Sequence, residues 1–363
     1  MMLSINSKKQ HFDTFDALRF ISFLIVFLSH IPIPSTSLFN FVSHSGNIGV
    51  TFFFVLSGFL ITYILLHEKV NTNTINLKSF LFRRILRIWP LFYLMILFAF
   101  ATPIILDHLH LPSSNQGYDP NWIVSCLFLE NYVMMFTNSF PNASPLRVMW
   151  SLCVEEHFYI IWGLFIYLLP LKRIPILIIG SILLANITRI IYYNFDITCY
   201  DIFSNIDYFA FGAIPAFIII IKPEFFSKIN NLPREILILI LSVTLILVLF
   251  APHLDNVYLG LALKPIFGLL FMLSIVSTLL GANKIHINDS NLMSKLGKYT
   301  YGSYLYHTIF INLCLQLNNK LSLNLNWIAI GLVSLVLTIA MSIISFHYFE
   351  KYFLKFKDRA QTV

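Results

Sequence analysis

Apolar residues along this chain fall in long runs separated by short polar stretches, and ten of those runs are long enough to cross a bilayer as helices. They cover 14–31, 47–66, 88–106, 152–170, 174–193, 206–221, 235–251, 257–280, 299–317 and 327–349. A further apolar piece, 122–136, carries Glu130 and Asn131 and is read as interfacial or re-entrant instead of an eleventh span. The pattern predicts an all-α polytopic integral membrane protein of about ten transmembrane helices. A single domain occupies 1–363, with short tails at 1–13 and 350–363.

Composition and charge agree with lipid as the solvent. Hydrophobic residues make up 58% of the chain, charged ones 11%, and mean hydropathy is +0.77, which excludes an ordinary soluble domain. With the N-terminus cytoplasmic, 19 of the 24 Lys and Arg residues fall in inner segments, from Lys8 and Lys9 to Arg359. The outer segments carry Asp107, Asp119, Glu130, Asp196, Asp201 and Asp255. Both termini are therefore expected inside, in a multi-pass cytoplasmic membrane protein. The net charge of +7 is accounted for by inner loops and calls for no nucleic-acid partner. Lys8 and Lys9 ahead of an apolar run look like a signal peptide, but the buried Arg19 and the lack of a small-x-small cleavage site favour an uncleaved anchor. Cys126, Cys153, Cys199 and Cys314 have no metal-ligand spacing and read as free, packed thiols.

The polar residues that interrupt the apolar runs carry the candidate chemistry. Arg19 and His30 are eleven residues apart in the first span, and eleven steps of about 100° bring a helix back to nearly the same face. Charged or titratable groups on one stripe of a membrane helix belong in a bundle interior or polar cavity. Arg84 and Arg87, at i and i+3, share a face that Arg83 does not. Their planar forks suit phosphate oxygens, although anchoring to anionic lipid heads would use the same pair. Glu155 and Glu156 stand near the outer end of the fourth span, as His30 does in the first. A carboxylate there is expected to support His30 as a base, with the other glutamate left to stabilise the helix N-terminus. Ser57 reads as a packing notch beside Gly58 more readily than as a nucleophile. His307, near Tyr304 and Tyr306, is expected to line a cavity or bond a neighbouring helix. Arg189 and Lys264 are expected to snorkel outward, and Asp16 to favour the start of the first helix.

Six stretches in order, FDALRFISFLIVFLSH, IGVTFFFVLSGFLIT, RRILRIWPLFY, WSLCVEEHFY, GSYLYHTIF and FHYFEKYFLK, give a chain that resembles membrane-bound acyltransferase family three, the ten-helix acyltransferases of bacterial surface glycans. The resemblance covers nearly the full length. It implies that Arg19 and His30 match the arginine-to-histidine motif of the first helix, Arg84 and Arg87 the paired-arginine motif, and Trp150 to Glu156 the tryptophan-serine-leucine stretch ending in paired glutamates. Cys153, His157, Trp89 and Thr308 depart from the usual residues, and a stand-alone form without the esterase-like domain some relatives carry is expected.

The resemblance implies an acyl-CoA donor, acetyl-CoA above all, at the cytoplasmic side, and an acceptor at the far side. The acceptor would be a surface polysaccharide or lipid-linked saccharide, with lipopolysaccharide O-antigen among the candidates; no metal is implied. The expected reaction is O-acylation. Arg84, Arg87 and Arg19 would hold the donor's phosphates while His30, with Glu155 or Glu156, deprotonates a sugar hydroxyl. The rival from another class is an ion-coupled secondary transporter or lipid-linked sugar carrier, which would also use intramembrane Arg, His and Glu. Internally repeated halves and broken helices, the usual marks of that class, are not apparent in the sequence.

Overall fold

In the computed structural model, residues 12, 14–112, 117–229, 232–254, 256–279 and 284–357 are described. Lys8, Lys9, Asp255 and Arg359 lie outside them. Each of the ten expected runs is a helix: α1 Thr14–His30, α2 Gly46–Thr72, α3 Leu77–His108, α4 Trp150–Leu168, α5 Ile174–Asn194, α6 Ile202–Ile221, α7 Arg234–Phe250, α8 Val257–Leu279, α9 Thr300–Lys320 and α10 Trp327–Ser345. Among the described residues eight helices are long and apolar enough to cross a membrane, which makes this a multi-pass membrane protein. The two that fall short are α1, with 17 residues, and α9, which buries Ser303, Tyr304, His307 and Thr308. They pack against each other inside the bundle, so protein, not lipid, surrounds their polar side chains.

The third helix starts earlier than its apolar run. Asn76 caps it by accepting a hydrogen bond from the Ser79 amide at 2.9 Å. Its 32 residues span about 48 Å at 1.5 Å each, more than a ~30 Å hydrocarbon core. The arginine segment thus lies on a rigid helical extension. Beyond α10 the described residues continue in a π-helical turn, Phe346–Glu350, and a last helical turn, Lys351–Leu354.

At the centre, α2 and α6 touch backbone to backbone. A Cβ on Gly58 would lie 2.1 Å from the Phe209 carbonyl oxygen, and one on Gly212 would lie 1.9 Å from that of Val55. Gly58 is therefore the packing notch expected beside Ser57. Residues 122–136 do not span: helices Trp122–Cys126 and Glu130–Thr137 are broken at Phe128, whose φ is 59°. Glu130 is buried there and accepts hydrogen bonds from the Tyr118 and Ser125 hydroxyls. Burial, and then this hydrogen bond, push the Tyr118 phenol above its usual range, so it remains a donor.

Arg189 does not snorkel. It is buried on α5 and makes two hydrogen bonds of 2.6 Å to Asp207 of α6, because the inward face of α5 gives the guanidinium a planar carboxylate partner. All four cysteines are free thiols.

Candidate active site

The end of α1 and the middle of α9 bring two imidazoles together. The rings of His30 and His307 are 4.9 Å apart and nearly perpendicular, at 77°. His30 Nδ1 lies 2.8 Å from the Val26 carbonyl oxygen. A carbonyl only accepts, so Nδ1 carries the proton and Nε2 keeps its lone pair. His307 is buried behind it and donates from Nδ1 to the Tyr304 carbonyl at 2.6 Å; its Nε2 has no partner among the described residues. His30 opens onto a cavity of about 510 Å³, shared with Ser29, His44, Asn47, Arg147 and Trp150. His307 thus backs the cavity-facing histidine.

At the other end of α1, about 16 Å from His30 by helix rise, lies a second cavity of about 320 Å³. Arg19, Arg84 and Arg87 all line it, joined by Lys298, Lys357 and Glu155. Arg19 pairs with Asp16 at 2.5 Å, so Asp16 holds a guanidinium as well as favouring the helix start. The Arg84 guanidinium lies 5.9 Å from the rings of both Phe80 and Tyr159, and its Nε is buried without a partner among the described residues. Arg83 points away, to Ser79 Oγ at 2.5 Å and Glu68 at 3.9 Å. Five cationic side chains around one cavity, against Glu155 on its wall, make a strongly anion-attracting chamber.

The glutamates do not stand where the sequence suggests. Because α4 starts at Trp150, neither lies in its first turn, so neither stabilises the helix start, and neither supports His30. Glu155 is carried inward to the arginine cavity, where it accepts from Ser57 Oγ at 2.8 Å and the Tyr159 hydroxyl at 3.1 Å. Glu156, one step of about 100° around the helix, turns to α3 and accepts from Trp89 Nε1 at 3.1 Å. The group beside His30 is His307, not a carboxylate.

Val50 and Tyr304 line both cavities. The Tyr304 hydroxyl is fixed by Ser151 Oγ at 2.7 Å and the Val148 carbonyl at 2.9 Å, so one phenol bonded to α4 and its approach forms part of the wall of each cavity. Sequence reasoning missed this wall, although Tyr304 and His307, at i and i+3, do share a helix face. It also assigned Lys298 and Lys357 to topology alone, since nothing in their local sequence separates a cavity lysine from a loop lysine.

The Acyltransferase domain family matches residues 12–347 of this chain. The peptidoglycan O-acetyltransferase OatA of Listeria monocytogenes is 28% identical over 389 aligned positions, covering 97% of this chain and 58% of its own. The putative peptidoglycan O-acetyltransferase YrhL of Bacillus subtilis is 38% identical over 156, covering 42% of this chain and 23% of its own. A putative O-acetyltransferase of Staphylococcus aureus is 28% identical over 329, covering 84% and 51%. The chain therefore spans well under two thirds of the length of these curated relatives. No solved structure matches it.

Proposed function

This chain belongs to the Acyltransferase domain family, and from that premise we propose that it moves an acyl group, acetyl first, from acyl-CoA at the cytoplasmic face to a hydroxyl of a cell-envelope glycan at the other. The observation that supports this reading is the pair of cavities on opposite ends of α1, one cationic and one holding a histidine whose Nε2 has no partner among the described residues, with Tyr304 bordering both. Arg84 and Arg87 offer forks for the donor's phosphates, and Arg19, Lys298 and Lys357 add charge. The donor's thioester arm would extend along the seam toward His30, with the Tyr304 side chain moving aside.

At the His30 end the glycan hydroxyl loses its proton to Nε2 as its oxygen bonds to the acyl carbon. The carbon–sulfur bond breaks, and the proton passes to the departing thiolate. His307 fixes the His30 ring and keeps water from its far side. Glu155, bonded to Ser57 and Tyr159, orders the arginine chamber in this account and takes no part as the base. The names of the relatives point to peptidoglycan, and not O-antigen, as the glycan.

One contact favours a covalent variant: Ser57 Oγ donates to Glu155 inside the cationic cavity, where an acyl-serine would form next to the bound donor. Labelled acetyl-CoA given without acceptor separates the routes, since stable label on the protein, lost in Ser57→Ala, requires the covalent one. The central reading is tested by glycan analysis of a deletion strain complemented with His30→Ala or Arg84→Ala. Loss of ester-linked acetyl with normal protein levels is expected, and full acetylation with either variant would overturn it. Glycan export without any new ester would support the carrier reading instead.

A further inference from the structure

A third cavity, of about 460 Å³, adjoins the His30 cavity and shares His44, Asn47, Trp150 and Tyr200 with it. The transfer chemistry leaves it unused. Its deep wall carries Arg189, Lys264 and Thr198. Arg189 gives its terminal nitrogens to Asp207, and its Nε is left buried without a partner among the described residues, as is Thr198 Oγ1. Among the described residues, the titratable side chains within electrostatic reach of Lys264 are Cys199, Arg189 and Asp207. Asp207 is the one carboxylate among these groups and is bonded to Arg189, so the described residues of that wall carry two cations against one anion. A net positive charge and two buried polar atoms without a described partner are costly in a membrane bundle unless a ligand completes them. At the junction of the two cavities the Trp150 and Tyr200 rings are 4.7 Å apart and tilted at 43°, and both border each cavity.

We propose that this cavity binds an oxyanion, carboxylate or phosphate, carried on the acceptor, so that the acceptor is an acidic sugar chain seated with its neighbouring hydroxyl at His30. The proposal rests on the transfer reading above. Lys264 supplies the charge, Arg189 Nε and Thr198 Oγ1 the hydrogen bonds, and Trp150 with Tyr200 the stacking surface.

The test uses the full chain in phosphatidylcholine vesicles. Acceptors are a peptidoglycan glycan-strand fragment with free lactyl carboxylates and the same fragment with those carboxylates converted to methylamides. Wild type is expected to prefer the acidic fragment at least tenfold in kcat/KM. Lys264→Met is expected to bring that ratio near one through KM, and Lys264→Arg to restore it. Equal use of both fragments by wild type would overturn the proposal without reference to any variant, and so would an undiminished ratio in Lys264→Met. A preference that appears only when phosphatidylglycerol is added would assign the cavity to a lipid headgroup and also overturn it. If wild type acetylates neither fragment, the transfer reading fails, and binding measured without donor still decides the site. Tighter binding of the acidic fragment, lost in Lys264→Met, supports it; equal binding of the two refutes it.

Discussion

At the residue scale, the account turns on side chains that share one seam but do different work. Arg84 is expected to matter through fork geometry as well as charge. Arg84→Lys should therefore raise the KM for acetyl-CoA about tenfold with little change in kcat, a split that steady-state kinetics would read directly. Tyr304 is the wall. Tyr304→Phe keeps the ring but loses the bonds to Ser151 and Val148. Acceptor-free hydrolysis of acetyl-CoA should then rise several-fold, measured as thiol release, and an unchanged rate would show that the phenol does not separate the cavities. That Arg19 shares a face with His30, and Arg84 with Arg87, is legible in the sequence because helical periodicity alone fixes which residues on one helix share a face. The partner of His30 was not legible. It depends on where α4 starts and how α4 and α9 are rotated against α1, and that rotation carried Glu155 to the arginines and His307 to the histidine.

At the scale of elements, two contacts hold the bundle around the seam. Gly58 lets α2 meet α6 at backbone distance, so Gly58→Ala forces a Cβ into the Phe209 carbonyl. A loss of about 1–3 kcal/mol is expected, seen as a lower unfolding temperature in detergent. The buried Arg189–Asp207 pair links α5 to α6. Asp207→Ala strands a guanidinium and should cost about 3–5 kcal/mol, whereas Asp207→Ala with Arg189→Met should recover much of it. Equal yields of folded protein from the single and double variants would contradict this. All ten helices could be read from the apolar runs, since each run is its own signal. The early start of α3 could not, because FLFRRILR is too polar to count as a span and its helix rests on the Asn76 cap and on packing. Arg189 was misread for a related reason: hydropathy reports depth, not whether a neighbouring helix offers a carboxylate.

At the scale of the whole molecule, the two helices outside the eight apolar spans, α1 and α9, pack against each other and carry His30, His307, Arg19 and Tyr304. Eight described helices are apolar enough to cross a membrane, and the proposed reaction places a nucleotide thioester and a glycan on opposite sides of them. Sidedness is thus the central claim, and a sealed-vesicle assay tests it most directly. Protein is reconstituted in one orientation, acetyl-CoA is supplied to only one face, and the glycan fragment to only the other. The account predicts acetyl ester on the glycan only when the donor meets the Arg84 face and the acceptor the His30 face, and a drop of about 10²–10⁴ in His30→Ala. Equal acetylation with donor and acceptor confined to the same face, or an undiminished rate in His30→Ala, would contradict it.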